Sequence, residues 1–161
     1  MKLAPILIGG ALAATLVLAT ACGGGDEAPT ARPAATAAPA GAKLDVGVDG
    51  DALTFSSDSL TAASGSVVVV VLDNVSTINQ HNWVLVENGT KDAVAADGTA
   101  AGPGGDWVKP GDDRVIAYTK VLAAGEIGEV TFTAPAPGTY QFVCTFPGHN
   151  FTMFGDFEVT G

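Results

Sequence analysis

Three side chains that bind soft metal ions lie close together near the C-terminus. Cys144, His149 and Met153 form the pattern Cys-x4-His-x3-Met, directly after an apolar run that ends at Val143. A thiolate, two imidazoles and a weak axial thioether are the ligands of a blue-copper electron-transfer site. The pattern therefore predicts a second histidine ligand from elsewhere, and His81 is the one other histidine in the sequence.

Cys144 is also compatible with a redox-active thiol or with a zinc ligand. Zinc sites rarely include a thioether. A disulfide cannot be assumed, because the other cysteine, Cys22, lies at the end of the leader and Cys144 lies in the ligand cluster. We therefore expect one copper ion that alternates between Cu(I) and Cu(II). Copper oxidases and nitrite reductases need additional histidine-rich sites, which two histidines cannot supply, so an enzyme is not expected.

Two strands must hold the C-terminal ligands in place. Residues 139–144 and the alternating residues 155–159 predict strands on either side of a ligand loop, and His81 stands at the start of a strand-like run at 83–86. A loop tied to strands at both ends is stiff. We expect the protein rather than the metal to set the geometry, so that little rearrangement accompanies electron transfer.

Short strand-like runs separated by turn residues recur along the rest of the domain. The β-branched run at 67–72 is typical of a strand buried on both faces. Residues 91–96 predict a short helix, and residues 97–113 predict a loop rich in Gly and Asp. Other strands are predicted at 44–48, 52–55, 60–62, 115–121 and 129–133. Seven or eight strands predict an all-β, Greek-key β-sandwich with a short helical segment in the middle.

The N-terminus has the pattern of a secretory signal: Lys2, an apolar segment at 3–18, and small residues before Cys22. Three outcomes are open: lipoprotein processing with acylation of Cys22, ordinary cleavage at the same bond, and an uncut anchor. The first is favoured because an unpaired cysteine at a new N-terminus otherwise has no explanation. We therefore expect a lipid-anchored protein at the extracytoplasmic (periplasmic) face of the cell membrane.

Composition divides the chain into a signal peptide at 1–21, a tether at 22–42 and a copper-binding domain at 43–161. The tether after Cys22 is mainly Gly, Ala, Pro and Thr, which bury too little apolar surface to offset the entropy of ordering, so disorder is predicted. The formal net charge is −10. Such an acidic chain is not expected to bind nucleic acid.

The pattern Cys144-x4-His149-x3-Met153, with His81-Asn82 upstream, resembles the small blue copper proteins, or cupredoxins, over residues 43–161. The leader, the Ala/Pro linker and the long middle segment make the auracyanins the most similar group. The resemblance implies that His81 and His149 are imidazole ligands, Cys144 the thiolate ligand and Met153 the axial ligand.

Two residues beside His81 also match family positions. The resemblance implies that Asn82 makes hydrogen bonds around Cys144 and ties the two ligand loops together. Gln80 occupies the position whose backbone carbonyl lies opposite the axial Met in azurin-like members, where azurin itself has glycine.

The resemblance also implies a role: single electrons pass between membrane-associated redox complexes of a photosynthetic or respiratory chain. In auracyanins the route runs from a quinol-oxidising complex towards the photosynthetic reaction centre, directly or through a cytochrome. Two alternatives remain open, namely a periplasmic copper storage or delivery protein and an electron donor to a copper-containing reductase.

Overall fold

The structure, a computed structural model, describes residues 41–161. This part of the chain contains eight β-strands, one α-helix and two short 3₁₀ turns. The predicted signal peptide and nearly all of the predicted tether lie outside the described residues. The strands are β1 Ala42–Gly47, β2 Ser59–Ala63, β3 Val67–Asp73, β4 Val84–Val86, β5 Val115–Tyr118, β6 Ile127–Thr133, β7 Gly138–Val143 and β8 Phe154–Thr160; the helix is α1 Lys91–Ala101, and the turns are Pro103–Gly105 and His149–Phe151.

The strands form two sheets, in the orders β1-β3-β6 and β2-β8-β7-β4-β5. In the five-stranded sheet, β7 is antiparallel to both of its neighbours. Its last residue, Val143, pairs with Val84 at the start of β4 and with Phe154 at the start of β8. The register therefore brings the chain before β4, the chain after β7 and the chain before β8 to the same end of the sheet. The predicted all-β sandwich with a short helix is confirmed.

The core lies between the two sheets, where alternate residues of each strand meet. Aromatic side chains join the layers: Phe132 of β6 packs against Trp83 and against Phe157 of β8, with ring centroids 6.1 and 6.0 Å apart. Trp83 also stacks on Phe142 of β7 at 5.9 Å. Because Trp83 follows directly after the His81-Asn82 pair, this contact fixes the chain beside the first histidine to the core.

The prediction that residues 67–72 are buried on both faces is wrong. In β3 the side chains of Val68, Val70 and Leu72 are fully buried, but Val67 is 37% exposed and the residues between them are half-buried. The three-stranded sheet has one face towards the core and the other towards solvent. Its β-branched residues reflect strand propensity on an exposed face as well as burial.

The strand that is buried on both faces is β4. Leu85 packs into the core between the sheets, whereas Val84 and Val86 face a second apolar cluster that includes Val94 of α1. The helix covers the outer face of the sheet at this point. No helix of the described part of the chain is long and apolar enough to cross a membrane.

The helix is longer than predicted, because it continues through Gly98 to Ala101 into the region expected to be loop. A side chain at Gly98 would collide with the backbone carbonyl of Trp107, so the glycine allows the following loop to pack closely on α1. Two predicted strands are also shorter than expected. Residues 52–55 contribute only an isolated bridge between Val48 and Phe55, and β5 ends at Tyr118 rather than at residue 121.

Candidate metal centre

His81, Cys144 and His149 turn three ligand atoms towards one another, here called the ligand triangle. The Nδ1 atoms of the two histidines are 3.2 Å apart, and the Cys144 Sγ lies 3.8 Å from the His81 Nδ1 and 3.5 Å from the His149 Nδ1. A point equidistant from the three atoms is about 2 Å from each, which is close to ordinary metal–nitrogen distances and slightly below metal–thiolate distances. The three atoms therefore fit one metal ion.

A backbone bridge outside the strands holds His81. Its N–H donates to the carbonyl of Leu122 at 3.1 Å, and the Leu122 N–H donates back at 2.8 Å. The buried Asn74 amide supports this bridge by donating to the carbonyls of Asn79, Leu122 and Ala123 at 3.0, 3.2 and 2.9 Å. The role of Asn74 could not be predicted, because nothing in the local sequence pattern shows which distant carbonyls it reaches.

Backbone hydrogen bonds within the loop hold Cys144 and His149, the other two residues of the ligand triangle. The Cys144 N–H donates to the Met153 carbonyl at 3.0 Å, and the Met153 N–H donates to the His149 carbonyl at 2.9 Å. The His149 N–H donates in turn to the Phe146 carbonyl at 3.0 Å. Gly148, with φ of 85°, makes the left-handed turn that this path needs. Met153 is fully buried next to Cys144 in the core.

Asn82 joins the two ligand-bearing segments. Its Nδ2 donates to the Thr145 Oγ1 at 2.8 Å, and the Thr145 N–H donates to the Asn82 Oδ1 at 2.8 Å. The same Nδ2 also donates to the backbone carbonyl of Asp106 at 2.8 Å. Thr145 and Asp106 were not singled out from the sequence: a threonine after the cysteine is a weak signal, and a backbone carbonyl gives none.

The remaining predicted residues lie further from the ligand triangle or outside the described chain. Gln80 directly precedes His81, and its side chain is exposed. Cys22, the predicted lipid attachment residue, lies outside residues 41–161. The structure thus brings together His81, Cys144 and His149 through their side chains, and Met153 through its backbone.

Burial controls the ionisation of the ligand triangle. It lowers the pKa of His81 to about 4, with a further contribution from the neighbouring His149, and it also lowers the pKa of His149. Burial raises the pKa of Cys144 to about 11, although the backbone N–H groups of Asn82 and Phe146 oppose this rise. Without metal, both rings are therefore neutral at pH 7 and the thiol keeps its proton. Metal binding has to release that proton, because the thiolate is the ligand form.

Comparison with known proteins gives consistent results. The family model described as copper binding proteins, plastocyanin/azurin family, matches residues 42–160. Auracyanin-A of Chloroflexus aurantiacus is 36% identical over 149 residues, which cover 91% of each protein. Auracyanin-B of the same organism is 47% identical over 115 residues, covering 68% of this chain and 48% of that protein. The solved structure of auracyanin A, described as a "blue" copper protein from that green thermophilic photosynthetic bacterium, matches with a TM-score of 0.72 at 37% identity, covering 74% of this chain and 99% of the other.

The pKa values of the ligand triangle predict how the stability of the metal-free protein depends on pH. The free energy of unfolding should fall as pH drops from 6.5 to about 4, because the unfolded imidazole binds a proton in this range and folded His81 does not. It should also fall as pH rises from 9.0 to about 11, because the unfolded thiol ionises there and buried Cys144 does not. Urea titrations across both ranges measure the two effects.

The variant Cys144→Ala separates the thiol from other groups that titrate at high pH. Between pH 9.0 and about 11, the free energy of unfolding of this variant should fall less than that of wild type, and the difference should be at most about 2–3 kcal/mol. Its fall in free energy of unfolding at acid pH should be the same as in wild type. An alkaline decrease of the same size in both proteins would show that the buried thiol is not its cause.

Proposed function

Because the chain belongs to the plastocyanin/azurin family of copper binding proteins, we propose that it carries single electrons on one copper ion. The observation that supports this most directly is the ligand triangle, whose buried atoms lie 3.2, 3.5 and 3.8 Å from one another. His81, Cys144 and His149 would hold the ion as three strong ligands, and we assign Met153 as a fourth, weaker ligand. Two imidazoles, a thiolate and a thioether are the set that suits copper.

Bound copper supplies a centre that gains and loses one electron as it alternates between Cu(II) and Cu(I). The side chains of the protein set the balance between these states: the soft sulfur atoms of Cys144 and Met153 favour Cu(I), and the imidazoles suit both. Full burial of Cys144 excludes water from the thiolate. The hydrogen bonds of Asn82 and Asn74 keep the ligand-bearing segments in place, so that the change of oxidation state requires little movement.

His149 is the ligand through which we expect electrons to enter and leave. It is 6% exposed, whereas His81 and Cys144 are both 0% exposed. Its ring also contacts Phe146, with ring centroids 4.8 Å apart, and the nearby Phe151 is 74% exposed. A partner that docks at this end of the domain would therefore approach the copper most closely through His149.

The proposed role is that of a carrier and not of an enzyme, since both histidines of the sequence stand in the ligand triangle and none is left for a second copper centre. Burial of all three ligand atoms also disfavours copper storage or delivery, because a delivered ion must be reached by the ligands of an acceptor. An electron donor to a copper-containing reductase remains compatible with the same site.

We further propose that the domain works outside the cytoplasm, anchored by a lipid on Cys22. Its expected partners are a quinol-oxidising complex, a cytochrome or a reaction centre, and similarity to the auracyanins supports this choice. The net charge of −10 suits partners with basic docking faces and does not suit nucleic acid.

Copper titration tests the assigned ligands. One equivalent of Cu(II) should produce an intense visible absorption band from the Cys144 thiolate, and ascorbate should bleach this band reversibly. Cys144→Ser should lose the band, whereas Met153→Leu should keep it and shift the reduction potential, because only the weak axial ligand is changed. A wild-type protein that binds one Cu(II) without an intense band would contradict the assignment of Cys144.

Metabolic labelling tests the anchor. Expressed from the complete gene in bacteria fed a tagged fatty acid, the protein should carry the tag and sediment with membranes. Cys22→Ala should abolish both, and Cys144→Ala, which removes the other cysteine, should change neither. An equal amount of tag on Cys22→Ala and wild type would place the fatty acid on another residue, and an untagged wild-type protein in the soluble fraction would exclude acylation at Cys22.

A further inference from the structure

Lys91, the first residue of α1, is unusually enclosed for a lysine. Its side chain is only 16% exposed, whereas lysine is among the residues most often found at the surface. The Nζ donates to the Asp92 Oδ1 at 2.8 Å and to the backbone carbonyl of Asn150 at 3.3 Å. It also lies 4.2 Å from the centroid of the Phe154 ring, which is within the range of a cation–π interaction.

The groups around Lys91 have a particular place in the chain. Asn150 directly follows His149, and Phe154 directly follows Met153. One ammonium group of α1 therefore contacts residues next to two of the three C-terminal ligands, His149 and Met153. The Asn150 Nδ2 donates to the Asp92 Oδ1 at 2.9 Å. Lys91 and Asp92 of α1 therefore both make hydrogen bonds to Asn150 of the loop, and they also bond to each other.

Residues 149–153 need such support because part of the segment is open to solvent. Phe151 is 74% exposed and Thr152 is exposed as well. The Thr152 Oγ1 donates to the Leu53 carbonyl at 2.8 Å, which ties the segment to a part of the chain outside α1. On the helix side, the contacts of Lys91 and Asp92 provide the polar attachment.

An exposed ion pair would contribute little to such an attachment. The pair between Lys43 and Asp45, whose side chains are 63% and 69% exposed, is of that kind. Lys91 differs because it is mostly enclosed and has three partners at once, of which Asn150 lies in the ligand loop and Phe154 begins β8 directly after it. Hydrogen bonds to charged groups are also stronger than those between neutral groups.

We propose that Lys91 is a positioning residue, which holds residues 149–153 against α1 and thereby restricts the movement of His149. The consequence for copper rests on the proposed function. When the oxidation state changes, a fixed loop keeps the His149 ring in place, and the bound ion escapes more slowly. The attachment itself is a property of the protein and can be measured without copper.

Hydrogen exchange of the Thr152 and Met153 amides measures the attachment, since both amides donate to the His149 carbonyl. In Lys91→Met, which keeps most of the apolar stem, these two amides should exchange about tenfold faster than in wild type. Amides of β3 should be unchanged. Lys91→Arg should restore slow exchange because a guanidinium can make both the hydrogen bond and the ring contact, and Lys43→Met controls for the loss of one positive charge.

The same variants loaded with copper test the consequence. Lys91→Met should release copper to a chelator about tenfold faster and shift the reduction potential, whereas Lys91→Arg and Lys43→Met should behave like wild type. Equal exchange at Thr152 and Met153 in Lys91→Met and Lys43→Met would overturn the proposal, as would faster exchange throughout the domain, which indicates a general loss of stability. Exchange in the metal-free protein decides the attachment even if the copper assignment fails.

Discussion

The pair of hydrogen bonds between Asn82 and Thr145 is the interaction on which the arrangement of the site depends. It joins two residues 63 positions apart, one beside His81 and the other beside Cys144. Both groups are buried, so a shift of either segment would leave polar atoms without partners, at a cost of about 1–3 kcal/mol for each. The two segments therefore have one favourable arrangement, and the ligand triangle follows from it.

The other restraints act on the remaining parts of the site. Asn74 holds the chain around His81 from the side of residues 122–123, and Lys91 holds the chain after His149 from the side of α1. These restraints surround ligand atoms that burial keeps uncharged when no metal is present. The protein thus avoids the charge repulsion and the desolvation cost that a charged, metal-free site would have. The free energy of copper binding has to offset the cost of removing the proton from the buried thiol.

The sequence was sufficient to predict the chemistry of the site, because the spacing of Cys144, His149 and Met153 is local and only one other histidine exists. It also predicted the two strands that flank the ligand loop. The roles of Asn74 and Lys91 could not be predicted, since each depends on groups brought close by folding. The burial of β3 was misjudged for the same reason: which sheet face a helix covers is decided by packing and not by the run of apolar residues, and the helix covers β4 instead.

We expect the protein to place the ligand atoms before copper binds and to keep them there in both oxidation states. High-resolution crystal structures of the metal-free, Cu(I) and Cu(II) forms measure this. The distances within the ligand triangle, now 3.2, 3.5 and 3.8 Å, should each agree among the three forms to within about 0.5 Å. A His149 ring that turns away in the metal-free form, or that moves when the copper is reduced, would show that the metal and not the protein sets the ligand positions.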